Sequence, residues 1–155
     1  MKIKYYLQVK GSADTGKTST ITRTFLKMLE QEQVKLEKIK NLDSGDFVAL
    51  INAENKNLAF ISSGDIEEVS KKSYDILLEL SQKDIDVLIV ATRTKGKTIE
   101  FWEKILEENH KDALKDYLEN KDWFAPENKK EISPYIDKQS NKLLEKIEKA
   151  LRVVK

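Results

Sequence analysis

Apolar positions recur along the chain with two different periods. Ile3 to Val9 is a short run rich in β-branched and aromatic residues that stops at Gly11, the mark of a buried strand. From Thr18 onward Ile21, Phe25 and Leu29 return at every fourth position, with Leu26 and Met28 nearby, and an amphipathic helix is predicted down to about Gln33. Val34 to Ile39 is ambiguous. Phe47 to Ile51 and Leu58 to Ser62 are apolar runs on either side of the polar stretch Asn52 to Asn57, which reads as an antiparallel hairpin with a six-residue connection. Ile66, Val69, Ile76, Leu77 and Leu80 predict a second helix, with Asp65, Glu67 and Glu68 suited to the positive end of its dipole. Ile85 to Thr92 is the most strand-like run in the chain. After Gly96, the residues Ile99, Trp102, Ile105 and Leu106 predict a third helix, and Ala113, Leu114, Tyr117 and Leu118 a shorter one. Trp123 to Pro134 reads as loop with room for a short strand, and the pair Trp123-Phe124 as core rather than a lid. Leu143, Leu144, Ile147, Leu151 and Val154 form the stripe of a final docking helix.

Strands alternating with helices imply an α/β fold: a mainly parallel sheet with one antiparallel hairpin strand and helices on both faces, as a three-layer sandwich. A chain of 155 residues is the size of a single domain, here 1–155. In such sheets ligands bind beyond the carboxyl ends of the strands, and that rule sorts the polar residues.

Composition narrows the chemistry. Charged residues are 35% of the chain yet nearly cancel, to a formal net charge of +1, so no global field draws it to nucleic acid or an anionic membrane. There is no cysteine and one histidine, His110, which removes disulfides, thiol catalysis and Cys- or His-rich metal sites. No run approaches the roughly 20 apolar residues of a membrane span, and the N-terminus lacks a signal-peptide core; a cytoplasmic location without membrane or nucleic-acid partners is the expectation.

The segment Gly11-Ser12-Ala13-Asp14-Thr15-Gly16-Lys17-Thr18 matches G-x-x-x-x-G-K-[ST] in full and lies between an apolar strand and a helix, where its mechanism requires it. Glycines let the backbone curl so that amide hydrogens can face a phosphate, and the helix N-terminus adds partial positive charge. These residues resemble the Walker A loop of the P-loop NTPases. The resemblance implies a P-loop NTPase-like fold, phosphate binding by residues 11 to 18 and Ser19 just beyond, Lys17 reaching the β and γ phosphates, and Thr18 ligating Mg²⁺.

The resemblance also implies a metal carboxylate, an aspartate at the end of another strand. Asp65 follows the run Leu58 to Ile61 and meets that condition; its competing role is a helix N-cap. Ser62, Ser63 and Gly64 would line the same rim. Asp86 precedes its strand and falls at the wrong end. Arg93 follows Ala91 and Thr92 on the ligand side, suited to phosphate contact or to an ordinary surface ion pair. Lys95 and Lys97 are candidates for an anionic substrate site, and Glu67 or Glu68 for polarising a water. Asp43-Ser44-Gly45-Asp46 reads as an ordinary turn, with a phosphate-sensing loop as the alternative. Asp14, a carboxylate inside a phosphate loop, has no assigned role.

Within the superfamily, Ser12 stands where dimeric MinD-like ATPases carry a lysine, and the D-x-x-G and N-K-x-D motifs of G proteins are missing, which favours ATP over GTP. The arginines Arg23, Arg93 and Arg152 are few for a nucleoside monophosphate kinase. Asp46-Phe47-Val48-Ala49, Leu58 to Asp65 and Asp86 to Thr94 are similar to small stand-alone bacterial P-loop proteins with a strand ending in Gly-Asp and a later Ala-Thr-Arg segment; that resemblance spans about residues 3 to 100 and implies site residues rather than a reaction. The expectation is Mg²⁺-dependent binding and slow hydrolysis of ATP or another nucleoside triphosphate, as a nucleotide-state switch with Lys17, Asp65 and Arg93 as catalytic residues. The alternative is a kinase passing the γ-phosphoryl group to a small molecule or nucleoside. The partner, a protein or a small acceptor, and the choice between monomer and homodimer stay open.

Overall fold

The computed structural model describes residues 1–43, 45–121 and 129–154, without the side chains of 129–131. In chain order the elements are β1 (Tyr5–Lys10), α1 (Lys17–Leu29), β2 (Val34–Asn41), β3 (Phe47–Ala53), β4 (Lys56–Ile61), α2 (Glu67–Leu80), β5 (Val87–Thr92), α3 (Lys97–Asn109), β6 (Leu114–Glu119) and α4 (Lys129–Val153). The strands form one sheet in the order β2-β3-β4-β5-β1-β6. β4, β5, β1 and β6 run parallel, and β3 alone opposes them, pairing antiparallel with β4 and β2. The protein is therefore α/β with a mostly parallel sheet.

Two apolar layers sandwich that sheet. Leu7, Val9, Ala49, Phe60 and Ile89 face Ile21 and Phe25 of α1 and Leu143 and Ile147 of α4. The alternate residues Tyr6, Val48, Leu50, Ile61, Leu88 and Val90 face Tyr74 and Leu77 of α2 and Trp102 and Leu106 of α3. This period-two division explains why the central strands read as continuous apolar runs, since both faces are covered. β5 is buried along its whole length.

Several elements differ from their sequence reading. The connection between β3 and β4 is a two-residue turn, not six residues: Asn52 pairs with Asn57 and Ala53 with Lys56, leaving Glu54 and Asn55 with φ of 53° and 66°. Positive φ at both central positions defines the type I′ turn that matches strand twist. The segment with Leu114, Tyr117 and Leu118 is not a helix but β6, paired from Tyr5 with Leu114 to Lys10 with Glu119. The misreading has a physical basis, because residues four apart share a face in a strand as well as in a helix. Val34 to Ile39 belongs to β2, an edge strand exposed at every residue but Val34, so no buried face imposed a period on it; Lys35, Lys38 and Lys40 are typical of a guarded edge. Lys129 to Pro134 is the start of α4 rather than loop, with Pro134 inside the helix. The pair Trp123-Phe124 lies outside the described residues.

Candidate functional site

β1 and β5 are neighbours, paired from Tyr6 with Leu88 to Lys10 with Thr92. The helices that follow them, α1 and α3, pack on opposite faces of the sheet. Diverging connections open a crevice at the carboxyl ends of such a strand pair. The segment Gly11 to Thr18 leaves β1 at that point, held by a hydrogen bond from the Gly11 amide to the Thr92 carbonyl at 3.1 Å.

The loop curls through Asp14 and Gly16, with φ of 62° and 78°. Gly16 is also the N-cap of α1, and as glycine it supplies no side-chain oxygen to the first-turn amides, nor is there an acidic residue in that turn. A helix start left this way presents N–H donors that suit an anion. Thr15 Oγ1 donates to the Ser12 carbonyl at 2.8 Å and closes the loop on itself. Asp14, Thr15, Gly16, Lys17, Thr18 and Ser19 line a cavity of about 320 Å³ completed by Asp65 and by Ile132 and Ile136 of α4. Asp14 and Ser12 are exposed, so the Asp14 carboxylate has water available beside the loop. Clefts of about 310 and 280 Å³ near Leu80 and Leu151 have other walls and none of these residues.

Lys17 is the centre of the polar cluster. Its side chain is 3% exposed, and Nζ donates to the Gly11 carbonyl at 2.7 Å and to Asp65 Oδ1 at 2.6 Å. Burial pushes the ammonium below its ordinary pKa, and the Asp65 carboxylate opposes that fall. Arg93 Nε, shielded from solvent, approaches the same Asp65 oxygen at 3.6 Å. Asp65 does not cap α2, whose N-cap is Ile66 with no side-chain hydrogen bond. The glycine before it is required by packing, since a Cβ on Gly64 would collide with the Ala91 carbonyl. β4 is thereby brought close to β5, and Asp65 and Arg93 come together from the ends of the two strands.

The carboxylate in contact with the Thr18 hydroxyl is that of Asp46. Thr18 Oγ1 donates to the Ser62 carbonyl at 2.9 Å and lies 3.5 Å from Asp46 Oδ1, which accepts a further hydrogen bond from Ser62 Oγ at 3.1 Å. Asp46 precedes β3, and the antiparallel direction of that strand brings its amino end to the ligand side. Ser62 is thus fully buried, touching Thr18 and Asp46 without lining the loop cavity itself. Ser63 instead turns into the body of the protein, against Ser73 at 3.0 Å. Asp86 lies at the opposite end of the sheet, paired with Lys4 at 3.2 Å.

Two buried residues not anticipated from sequence brace the loop. Asn120, directly after β6, donates from Nδ2 to the Thr15 carbonyl at 2.9 Å and to Thr20 Oγ1 at 3.1 Å. Gln139 of α4 donates to Asn120 Oδ1 at 2.7 Å, which fixes the orientation of the Asn120 amide. Had the preceding segment been read as a strand, the rule of carboxyl ends would have flagged Asn120. Lys95 and Lys97 follow Arg93 on the wall of an adjoining cleft that also includes Asp65, Glu67 and Glu68.

Among the described residues no helix is long and apolar enough to cross a membrane, and no group of three or more His, Cys, Asp or Glu side chains is arranged to hold a metal. No family model, curated protein or solved structure matches the chain.

Proposed function

We propose that the chain is a P-loop NTPase-like protein that binds a nucleoside triphosphate with Mg²⁺, ATP in preference to GTP, and hydrolyses it slowly. The observation that carries this reading is the convergence of the Lys17 ammonium, Asp65 and Arg93 beside the uncapped start of α1. The backbone from Gly11 to Thr18, with Ser19, would take the phosphates. Lys17 would exchange its contact with Asp65 for the β and γ phosphates, which are the stronger anionic partners. Thr18 and Asp46 form a two-oxygen pair that fits a hard cation keeping several waters, the usual habit of Mg²⁺. Asp65, read from sequence as the metal carboxylate, contacts Lys17, and would act through metal-bound water or orient the attacking one. When bound, the metal supplies charge neutralisation on the phosphate oxygens. Arg93 would add a cation where charge grows on the departing γ-phosphoryl group.

The deciding experiment is calorimetric titration of ATP and GTP with Mg²⁺, followed by phosphate release from the bound nucleotide. Micromolar or tighter binding of ATP is expected, and Lys17→Ala should weaken it about a hundredfold, the scale of losing a charged hydrogen-bonding partner. Failure of the wild-type protein to bind either nucleotide would sink the proposal.

A further inference from the structure

Beside the loop cavity lies a second cleft, of about 530 Å³, whose walls include Asp65, Glu68, Arg93, Lys95, Lys97 and Thr98. Asp65 belongs to both cavities, so the two meet at the carboxylate that Lys17 touches. The volume lies within the range of small-molecule sites. Its charges are unevenly committed. Arg93 lies against Asp65, and Glu67 lies 3.6 Å from Lys71. Lys95 and Lys97 are exposed and line the cleft. They flank Gly96, the N-cap of α3, which has a φ of 98° and no side-chain cap hydrogen bond. Two lysines around that helix start favour an anionic group against the single acidic residue of the first turn, Glu100, and Asp65 lines the same cleft.

We infer that this cleft seats an acceptor for the γ-phosphoryl group: a small molecule that carries both a hydroxyl and an anionic group, carboxylate or phosphate. The inference rests on the nucleotide reading of the phosphate loop. The anionic end lies on Lys95, Lys97 and the start of α3, and the hydroxyl points to Asp65. In the transfer, the acceptor oxygen forms a bond to the γ-phosphorus as the bond from that phosphorus to the β–γ bridging oxygen breaks. The bridging oxygen keeps the electron pair and leaves with the nucleoside diphosphate. The hydroxyl proton passes to the Asp65 carboxylate and then to water. Hydrolysis is the same displacement with water in the acceptor's place.

The test is ADP formation by the full chain with MgATP and a panel of hydroxy acids and hydroxy phosphates: glycerate, gluconate, glycerol 3-phosphate and glucose 6-phosphate. Glycerol and glucose are the uncharged controls, and phosphorus NMR identifies the product. At least one anionic hydroxy compound should speed ADP release about tenfold or more and appear phosphorylated, with the acid and phosphate arms showing which anion is preferred. Lys95→Gln and Lys97→Gln should each raise the KM for that compound about tenfold with little change in kcat, as expected for loss of one charged contact away from the reacting atoms. Lys149→Gln, on the exposed face of α4, serves as the surface-charge control. If ATP binds and turns over but no anionic compound accelerates it, or the uncharged controls serve equally well, the inference is overturned while the nucleotide reading stands. If ATP does not bind, both fall.

Discussion

In the proposed site Asp46 and Asp65 would divide the work that one carboxylate was expected to do, since Asp65 contacts Lys17 and Asp46 contacts Thr18. Asp65 was legible because it follows an apolar run, and Arg93 for the same reason. Asp46 was read only as part of a turn, with a phosphate-sensing loop as the alternative, because a residue before a strand ordinarily falls at the far end of a parallel sheet. The hairpin reading already contained the missing step, since an antiparallel β3 must begin on the ligand side. If Asp46 is the metal carboxylate, Asp46→Asn should weaken Mg²⁺ stimulation of nucleotide binding by roughly tenfold to a hundredfold, the range for disturbing a ligand or its immediate support. Asp65→Asn should reduce turnover more than Mg²⁺ affinity; the reverse pattern, read from Mg²⁺ titrations of the two variants, would return the metal to Asp65. A third titratable residue bears on stability instead. His110 is buried, with Nδ1 accepting from the Ile3 amide at 3.1 Å and Nε2 3.2 Å from the Tyr74 hydroxyl. Burial, and secondarily the N-terminal charge, hold its pKa below the ordinary value. The neutral ring is therefore favoured by folding, and its contribution is present above the unfolded pKa of about 6.5 and lost as pH falls through that value toward the folded one. Urea midpoints measured from pH 7.5 to 5 should decline more steeply for the wild-type protein than for His110→Gln. Parallel declines would rule out the assignment.

At the scale of elements, the parts written most plainly in the sequence were those with two covered faces or one strong apolar stripe. β1, β5, α1, α2 and α3 follow their periods because burial dictates them. β2 and β6, the two edges, were obscure because packing imposes little on them: β6 buries Leu118 alone, and it is a strand because the open edge of β1 needs hydrogen-bond partners. The start of α4 was hidden by Pro134, which removes a backbone donor. It is secured instead by side chains of α1, with Arg23 donating to the Ser133 carbonyl at 2.8 Å and Lys27 to Asp137 at 2.7 Å. The β3–β4 turn gives a prediction of its own. Glu54 holds a left-handed conformation that costs an ordinary residue about 1 kcal/mol or more. Glu54→Asn should raise stability by about 0.5 to 1 kcal/mol, seen as a higher denaturant midpoint with an unchanged slope; an unchanged or lower midpoint would show that the turn carries no such strain.

For the whole molecule, the site joins pieces distant in sequence, and nucleotide should consolidate all of them together. With MgATP at a hundred times its Kd, the folded state gains about 2.7 kcal/mol, which for a chain of this length raises the thermal midpoint by roughly 5 to 10 °C. Calorimetric scans with and without MgATP check this, and Lys17→Ala should abolish most of the shift. An equal shift in that variant would place the nucleotide elsewhere.

The brace formed by Asn120 and Gln139 has a consequence for biosynthesis. The segment Gly11 to Thr18 leaves the ribosome before its braces do, so the Thr15 carbonyl waits for Asn120, and Asn120 for Gln139. A nascent chain that has reached Thr92 carries the complete segment Gly11 to Thr18 and both strands of the central pair, but neither brace. In the proposed reading, competence to grip a nucleotide would therefore wait until α4 can close against α1, and products truncated before α4 would carry the motif without its supporting scaffold.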